Sequence, residues 1–239
     1  MGVLCRALLP GLLALLVAGE AVAAALGVAP TRIELAPGQT SASLTIENQA
    51  NAAVTLQVQT FAWSGPAIDP ELRSGRELIA VPPVFSLEPG AKQIVRVALR
   101  TPVDGQRERA YRLLITEVPV TWADDTMGVR FALRLSLPVF AKAAGAKAAP
   151  AWSIRSTGRG GELELANRGT AHLRLRRIEL RTAGKGGDPV QVIDAPMDIL
   201  PGEAQRWPLT AAAMALPSLE LQADTGLGPL TAELVPPPR

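Results

Sequence analysis

The sequence predicts an all-β protein built of two consecutive sandwich domains, and three observations carry that expectation. Short runs of alternating apolar and polar residues recur along the chain, and no segment holds a helical period. The runs are punctuated by Pro37-Gly38, Pro89-Gly90, Asp104-Gly105 and Pro201-Gly202, where proline presets one backbone angle and glycine accepts a positive one. Between two sets of runs lies Ala141 to Ala149, AKAAGAKAA, which has no β-branched or aromatic residue and stops at Pro150, as a linker would.

In chain order, Arg6, the apolar run Ala7 to Ala18 and the small residues Ala21 to Ala25 read as a secretory signal peptide, cut after Ala25. Pro10 and Gly11 interrupt the run and Glu20 closes it, too soon for a helix that stays in a membrane. Cys5 is the only cysteine and leaves with the signal, so the expected mature chain has no disulfide, thiolate nucleophile or cysteine ligand. Export without disulfides points to a bacterial periplasm. The expected division is a signal over 1–25, a first domain over 26–143, a linker over 144–150 and a second domain over 151–239. Each of the two is near the size of one immunoglobulin-like sandwich, about 100 residues.

In the first domain the alternating runs are Arg32 to Leu35, Ser43 to Glu47, Val54 to Phe61, Ile94 to Leu99, Tyr111 to Val118 and Gly128 to Phe140. In the second they are Trp152 to Ser156, Glu162 to Ala166, His172 to Leu180, Val190 to Ile193, Arg206 to Leu209, Leu219 to Ala223 and Leu230 to Val235. The halves echo each other. Ile46-Glu47-Asn48 followed by Ala53-Val54 has a counterpart in Leu165-Ala166-Asn167 followed by Ala171-His172, which suggests two sandwiches of one kind.

The run Gly128 to Phe140 stands out. Val129, Phe131, Leu133, Leu135, Leu137 and Val139 alternate with Arg130, Ala132, Arg134 and Ser136, over about twice the usual strand length. Pro138 cannot donate to a ladder and suits an edge. Two readings are open: an ordinary strand whose apolar face fills its own core, or an edge that another chain occupies, since long apolar edges are otherwise aggregation hazards.

Chemistry is sparse. His172, the only histidine, lies in a run of alternating charge and reads as a solvated face. Asp124-Asp125 reads as a solvated hairpin turn, and Gly158, Gly160 and Gly161 follow no βα pattern, so no phosphate loop is implied. No catalytic machinery, metal or cofactor is expected. A net charge of +2 without a lysine run gives no footprint for nucleic acid.

Several stretches in order, VAPTRIELAPGQTSASLTIEN, LIAVPPVFSLEPGAKQIVRV, RAYRLLITEVP, RFALRLSLPVFAK and ILPGEAQRW, together resemble the PapD-like periplasmic chaperones of the chaperone/usher pathway, in particular the archaic, spore-coat-like pilus branch. The resemblance implies two immunoglobulin-like domains meeting at an angle. It also implies an ATP-independent chaperone that caps pilus subunits by donor-strand complementation and delivers them to an outer-membrane usher. On it, Val129, Phe131, Leu133, Leu135 and Leu137 are the donor contacts. Arg32 and Arg134 anchor the subunit's terminal carboxylate, the first of these being otherwise a surface salt bridge. Glu117, Lys142 and Asp224 form an interdomain charge cluster, and Arg112 is structural. The long edge makes self-association of the free protein plausible. The rival from another class is a structural or adhesive component of a surface fibre built on the same sandwich.

Overall fold

The computed structural model describes residues 26–66, 70–103, 105–118, 132–157, 160–184 and 187–237. The expected signal peptide, Asp124-Asp125, Val129 and Phe131 lie outside the described residues.

The first half contains β1 (Leu26–Ala29), β2 (Ile33–Leu35), β3 (Ser41–Asn48), β4 (Val54–Ser64), β5 (Glu71–Ser74), β6 (Leu78–Val81), β7 (Val84–Leu87), β8 (Lys92–Leu99), β9 (Arg109–Glu117) and β10 (Arg134–Ala141). They form two facing sheets, ordered β1-β3-β8-β6 and β2-β10-β9-β4-β5, with β7 also on β4. The second half contains β11 (Pro150–Thr157), β12 (Gly160–Asn167), β13 (Leu173–Thr182), β14 (Gln191–Ile199), β15 (Ala204–Leu209), the one-turn helix α1 (Ala211–Met214), β16 (Leu219–Thr225) and β17 (Gly228–Leu234). Its sheets are β11-β12-β15 and β14-β13-β16-β17. The protein is therefore two immunoglobulin-like sandwiches in series.

Period-two alternation places the cores. On β8, Val95, Val97 and Leu99 point inward while Ile94 and Arg96 face solvent. They meet Leu35, Leu44, Ile46, Leu56, Leu113, Ile115 and Val139 in the first core. In the second, β13 changes phase at a bulge between Leu175 and Arg177, so Leu173 and Leu175 face inward before it and Ile178 and Leu180 after it. That is why Arg176 and Arg177 both stay outside.

The echo between the halves is a repeated hydrogen-bonding device. Asn48 and Asn167 are buried at the ends of β3 and β12. Each donates Nδ2 to the carbonyl four residues on, Ala52 or Ala171, and to a second strand's carbonyl, Leu87 or Ile199. Each accepts at Oδ1 from the N–H two residues on, Ala50 or Gly169. The backbone carbonyl of each also takes the glycine N–H of a proline-glycine turn, Gly90 or Gly202, whose positive φ the turn requires.

Candidate functional site: a strand edge and the cleft beside it

The edge follows from register. β10 pairs antiparallel with β9 along its whole length, Arg134 opposite Thr116 through Ala141 opposite Arg109. On its other side β2 pairs parallel with β10 only from Val139 to Ala141. From Arg134 to Pro138 that side of β10 therefore has no strand beside it among the described residues. The odd-numbered side chains change environment along this edge. Leu133 and Leu135 are half-buried, Leu137 is 7 % exposed and Val139 is fully buried. Leu137, expected among the donor contacts, lies in its own sandwich's core, because β10 is by then covered by the facing sheet. The two readings of the long strand thus divide along it.

At the lower end of the edge the two sandwiches meet over an apolar seat of Trp63, Phe140 and Leu200. Phe140 has Trp63 at 5.8 Å between ring centroids and His172 stacked at 3.7 Å and 21°. Arg32 precedes β2 and is level with Pro138, since Ile33 is opposite Val139. Its guanidinium lies over Phe140 at 4.4 Å. Arg32 donates Nε to Glu34 at 2.8 Å, Nη1 to both carboxylate oxygens of Asp198 at 2.9 and 2.8 Å, and Nη2 to His172 Nε2 at 2.5 Å. Asp198 and His172 come from the second sandwich, so Arg32 bridges the domains. Burial opposes its charge, but Asp198 and Glu34 outweigh that and raise its pKa. Glu34 also takes Lys142 Nζ at 2.6 Å. Burial would raise the Glu34 carboxyl, but the hydrogen bonds and charges of Lys142 and Arg32 hold it at about 2.

Across β10 from Arg32 stands Arg112, opposite Pro138 in β9. Its guanidinium lies over Trp63 at 3.8 Å, and its buried Nε has no acceptor among the described residues. Burial holds its pKa below the ordinary value, against the pull of Asp198 and with the help of Arg32's like charge. These two arginines flank one residue of the edge strand. Arg134 does not join them: it is exposed and four residues up the strand, about 13 Å from Pro138.

The expected charge cluster of Glu117, Lys142 and Asp224 is not assembled. β9 and β10 are antiparallel, so Glu117 sits at the far end from Lys142, about 30 Å along the sheet, where its carboxylate accepts the Leu133 N–H. Lys142 pairs with Glu34, and Asp224 with Arg176 at 3.0 Å. The groups that join the domains are instead Arg32, Asp198, Glu108 and His172. His172 is not on a solvated face: its side chain is 6 % exposed, and Nδ1 lies 2.6 Å from Glu108 Oε1. It precedes β13, and the first sandwich covers it. The internal echo held no clue, since His172, five residues after Asn167, matches the small and exposed Ala53, five residues after Asn48. An open cleft of about 830 Å³ between the domains is lined by Arg32, Glu34, Glu108, Pro138, Lys142 and His172.

Two immunoglobulin-like sandwiches, with a half-paired edge strand leading into a cationic cleft between them, define a scaffold that can accept another chain's strand. The chain belongs to the family of pili and flagellar-assembly chaperones, whose PapD N-terminal domain matches residues 25–147. Solved structures share the fold across both domains. A chain of the CsuC–CsuE chaperone–tip adhesion subunit pre-assembly complex, from archaic chaperone-usher Csu pili of Acinetobacter baumannii, is 21 % identical with a TM-score of 0.64, over 88 % of this chain and 98 % of that one. A chain of the Salmonella enterica SafA pilin–SafB chaperone complex is 17 % identical with a TM-score of 0.61, over 88 % and 96 %. The Pseudomonas aeruginosa CupB2 chaperone is 18 % identical with a TM-score of 0.54, over 86 % and 98 %. No curated protein matches the chain in sequence.

Proposed function

We propose that this protein is an ATP-independent periplasmic chaperone that caps pilus subunits by lending them the edge of β10 and passes them to an outer-membrane usher. The observation that carries the reading is the edge from Arg134 to Pro138, open on one side and ending between Arg32 and Arg112. A subunit strand laid there gains backbone partners, and its terminal carboxylate falls beside two guanidiniums suited to gripping it. Arg32 is already in ion pairs with Glu34 and Asp198, as a salt-bridge residue would be, and keeps one Nη2 hydrogen for a visitor. Arg112, with its unsatisfied Nε, takes the second anchoring place in preference to Arg134. Leu133 and Leu135 fill the subunit's groove. Completing the burial of a half-buried leucine contributes about 1 kcal/mol before association costs.

The test is recovery. The mature protein, tagged at its C-terminus and purified gently from its host's periplasm, should bring a stoichiometric small β-rich partner identifiable by mass spectrometry. Leu133→Asp should abolish that recovery while the chaperone stays folded. Recovery of the protein alone counts against the reading, and recovery in sheared surface fibres favours a structural component.

A further inference from the structure

The contact that orients Arg32 also fixes the state of the only histidine in the chain. A guanidinium has no acceptor, so Arg32 Nη2, 2.5 Å from His172 Nε2, must donate and the imidazole must accept. The proton of the neutral ring then sits on Nδ1, which donates to Glu108 Oε1 at 2.6 Å. The same oxygen accepts the His172 backbone N–H at 3.1 Å, so one fully buried carboxylate sets both ring and backbone. Phe140, stacked on the imidazole and lying under Arg32, completes the seat.

We propose that His172, set by Glu108, is the positioning residue for Arg32 in carboxylate capture, and that protonation of the imidazole releases Arg32. This rests on the anchoring role given to Arg32 above. An imidazolium would turn an N–H towards an N–H. Glu108 lies on the far side of the ring and steadies the cation. Glu34 and Asp198 still hold the guanidinium, with Lys142 behind Glu34, Arg174 behind Asp198, and Arg112 facing from β9. Arg32 therefore withdraws towards its two carboxylates and offers less to an incoming one.

The experiment uses the mature chain without a histidine tag. The probes are a short synthetic peptide of alternating valine and threonine ending in a free carboxylate, and the same peptide amidated. The wild type should prefer the carboxylate form while NMR shows the imidazole neutral, and lose about five- to tenfold of that preference once NMR shows the imidazolium at a pH where an α-carboxylate is still ionised. His172→Gln supplies an acceptor that takes up no proton and should keep the preference at both pH values. His172→Leu supplies none and should lack it at both. A Gln variant that falls in acid like the wild type, a Leu variant that matches the neutral wild type, or an imidazole that stays neutral wherever the carboxylate is ionised, overturns the proposal. Should the Leu variant not fold, the comparison of wild type with Gln decides. The imidazole nitrogens, read by ¹⁵N NMR as one pair of signals, should show the Nδ1–H form, and an Nε2–H form would refute the geometry. If wild type and Arg32→Ala bind both peptides equally while the Nδ1–H form is present, the anchoring role of Arg32 is what has failed, and carboxylate capture through His172 falls with it.

Discussion

Replacing Asn167 with alanine removes four hydrogen bonds from a side chain that is buried. Nδ2 donates to Ala171 O at 2.8 Å and Ile199 O at 3.0 Å, and Oδ1 accepts from Ala149 N and Gly169 N at 3.1 Å each. At roughly 0.5 to 1.5 kcal/mol net per bond the sum is about 2 to 6 kcal/mol. Water reaching the vacated space recovers part of it, so a loss of about 3 kcal/mol is expected, a large share of a domain's 5–15 kcal/mol. Asn167→Asp is the sharper perturbation. It keeps the acceptor for both N–H groups but sets a charged oxygen against two carbonyls, so at neutral pH it should cost more than alanine. Acidification should recover part of that, because a protonated acid can donate once. Urea unfolding followed by tryptophan fluorescence reads this out, since Trp152 and Trp207 pack on the second core. With a slope of about 1–3 kcal/mol per molar, the alanine variant's midpoint should fall by about 1–3 M at unchanged slope. An alanine variant within about 0.3 M of wild type, or an aspartate variant more stable than alanine at neutral pH, would refute the accounting.

Three further outcomes are expected. Arg112→Ala should cost a subunit complex about 2–5 kcal/mol, as truncating a desolvated charge partner does, while the exposed Arg134→Ala should change it by less than about 0.5 kcal/mol; calorimetry on a recovered subunit complex orders the two. Glu34, held at about 2 against an unfolded value of 4.5, contributes stability that is full above 4.5 and lost as pH falls towards about 2. Acid unfolding of Glu34→Gln should lack that part of the pH dependence, and an unchanged profile would mean the pairing with Lys142 and Arg32 adds nothing. Asn48→Ala removes three bonds rather than four and should destabilise the first sandwich by less than Asn167→Ala destabilises the second, as urea midpoints of the two variants would show.

Much of the fold was legible because period-two alternation and proline-glycine turns are local signals. β3, β4, β8, β9 and the later strands stand where alternation marks them, except that β14 runs six residues past the expected end at Ile193. β1, β5, β6 and β7 do not, because LGVA, ELRS, LIAV and VFSL do not alternate strictly between apolar and polar residues, and Pro82-Pro83 hides the break between β6 and β7. The repeated asparagine was visible as an echo, though not as the turn-holding device it is. The site was less legible because it depends on register. Arg134 and Arg112 are both arginines on strands of one sheet, and which of them is level with Arg32 is set by how β9 and β10 slide past each other. His172 was misread for a related reason: charged neighbours on its own chain segment said solvent, and the covering surface comes from the other domain.

Register is also what the proposed anchor would control. The five described edge residues from Arg134 to Pro138, one of them a proline without an N–H, do not by backbone pairing alone distinguish one alignment from the next. A slip of one residue would turn every groove-facing side chain of an added strand to the opposite face, away from Leu133 and Leu135. A carboxylate held between Arg32 and Arg112 fixes where the added strand ends, and so which of its side chains lie level with those leucines. An edge closed at one end by β2 and terminated there by such an anchor would thereby be both less exposed to indiscriminate pairing and more selective about the strand it accepts.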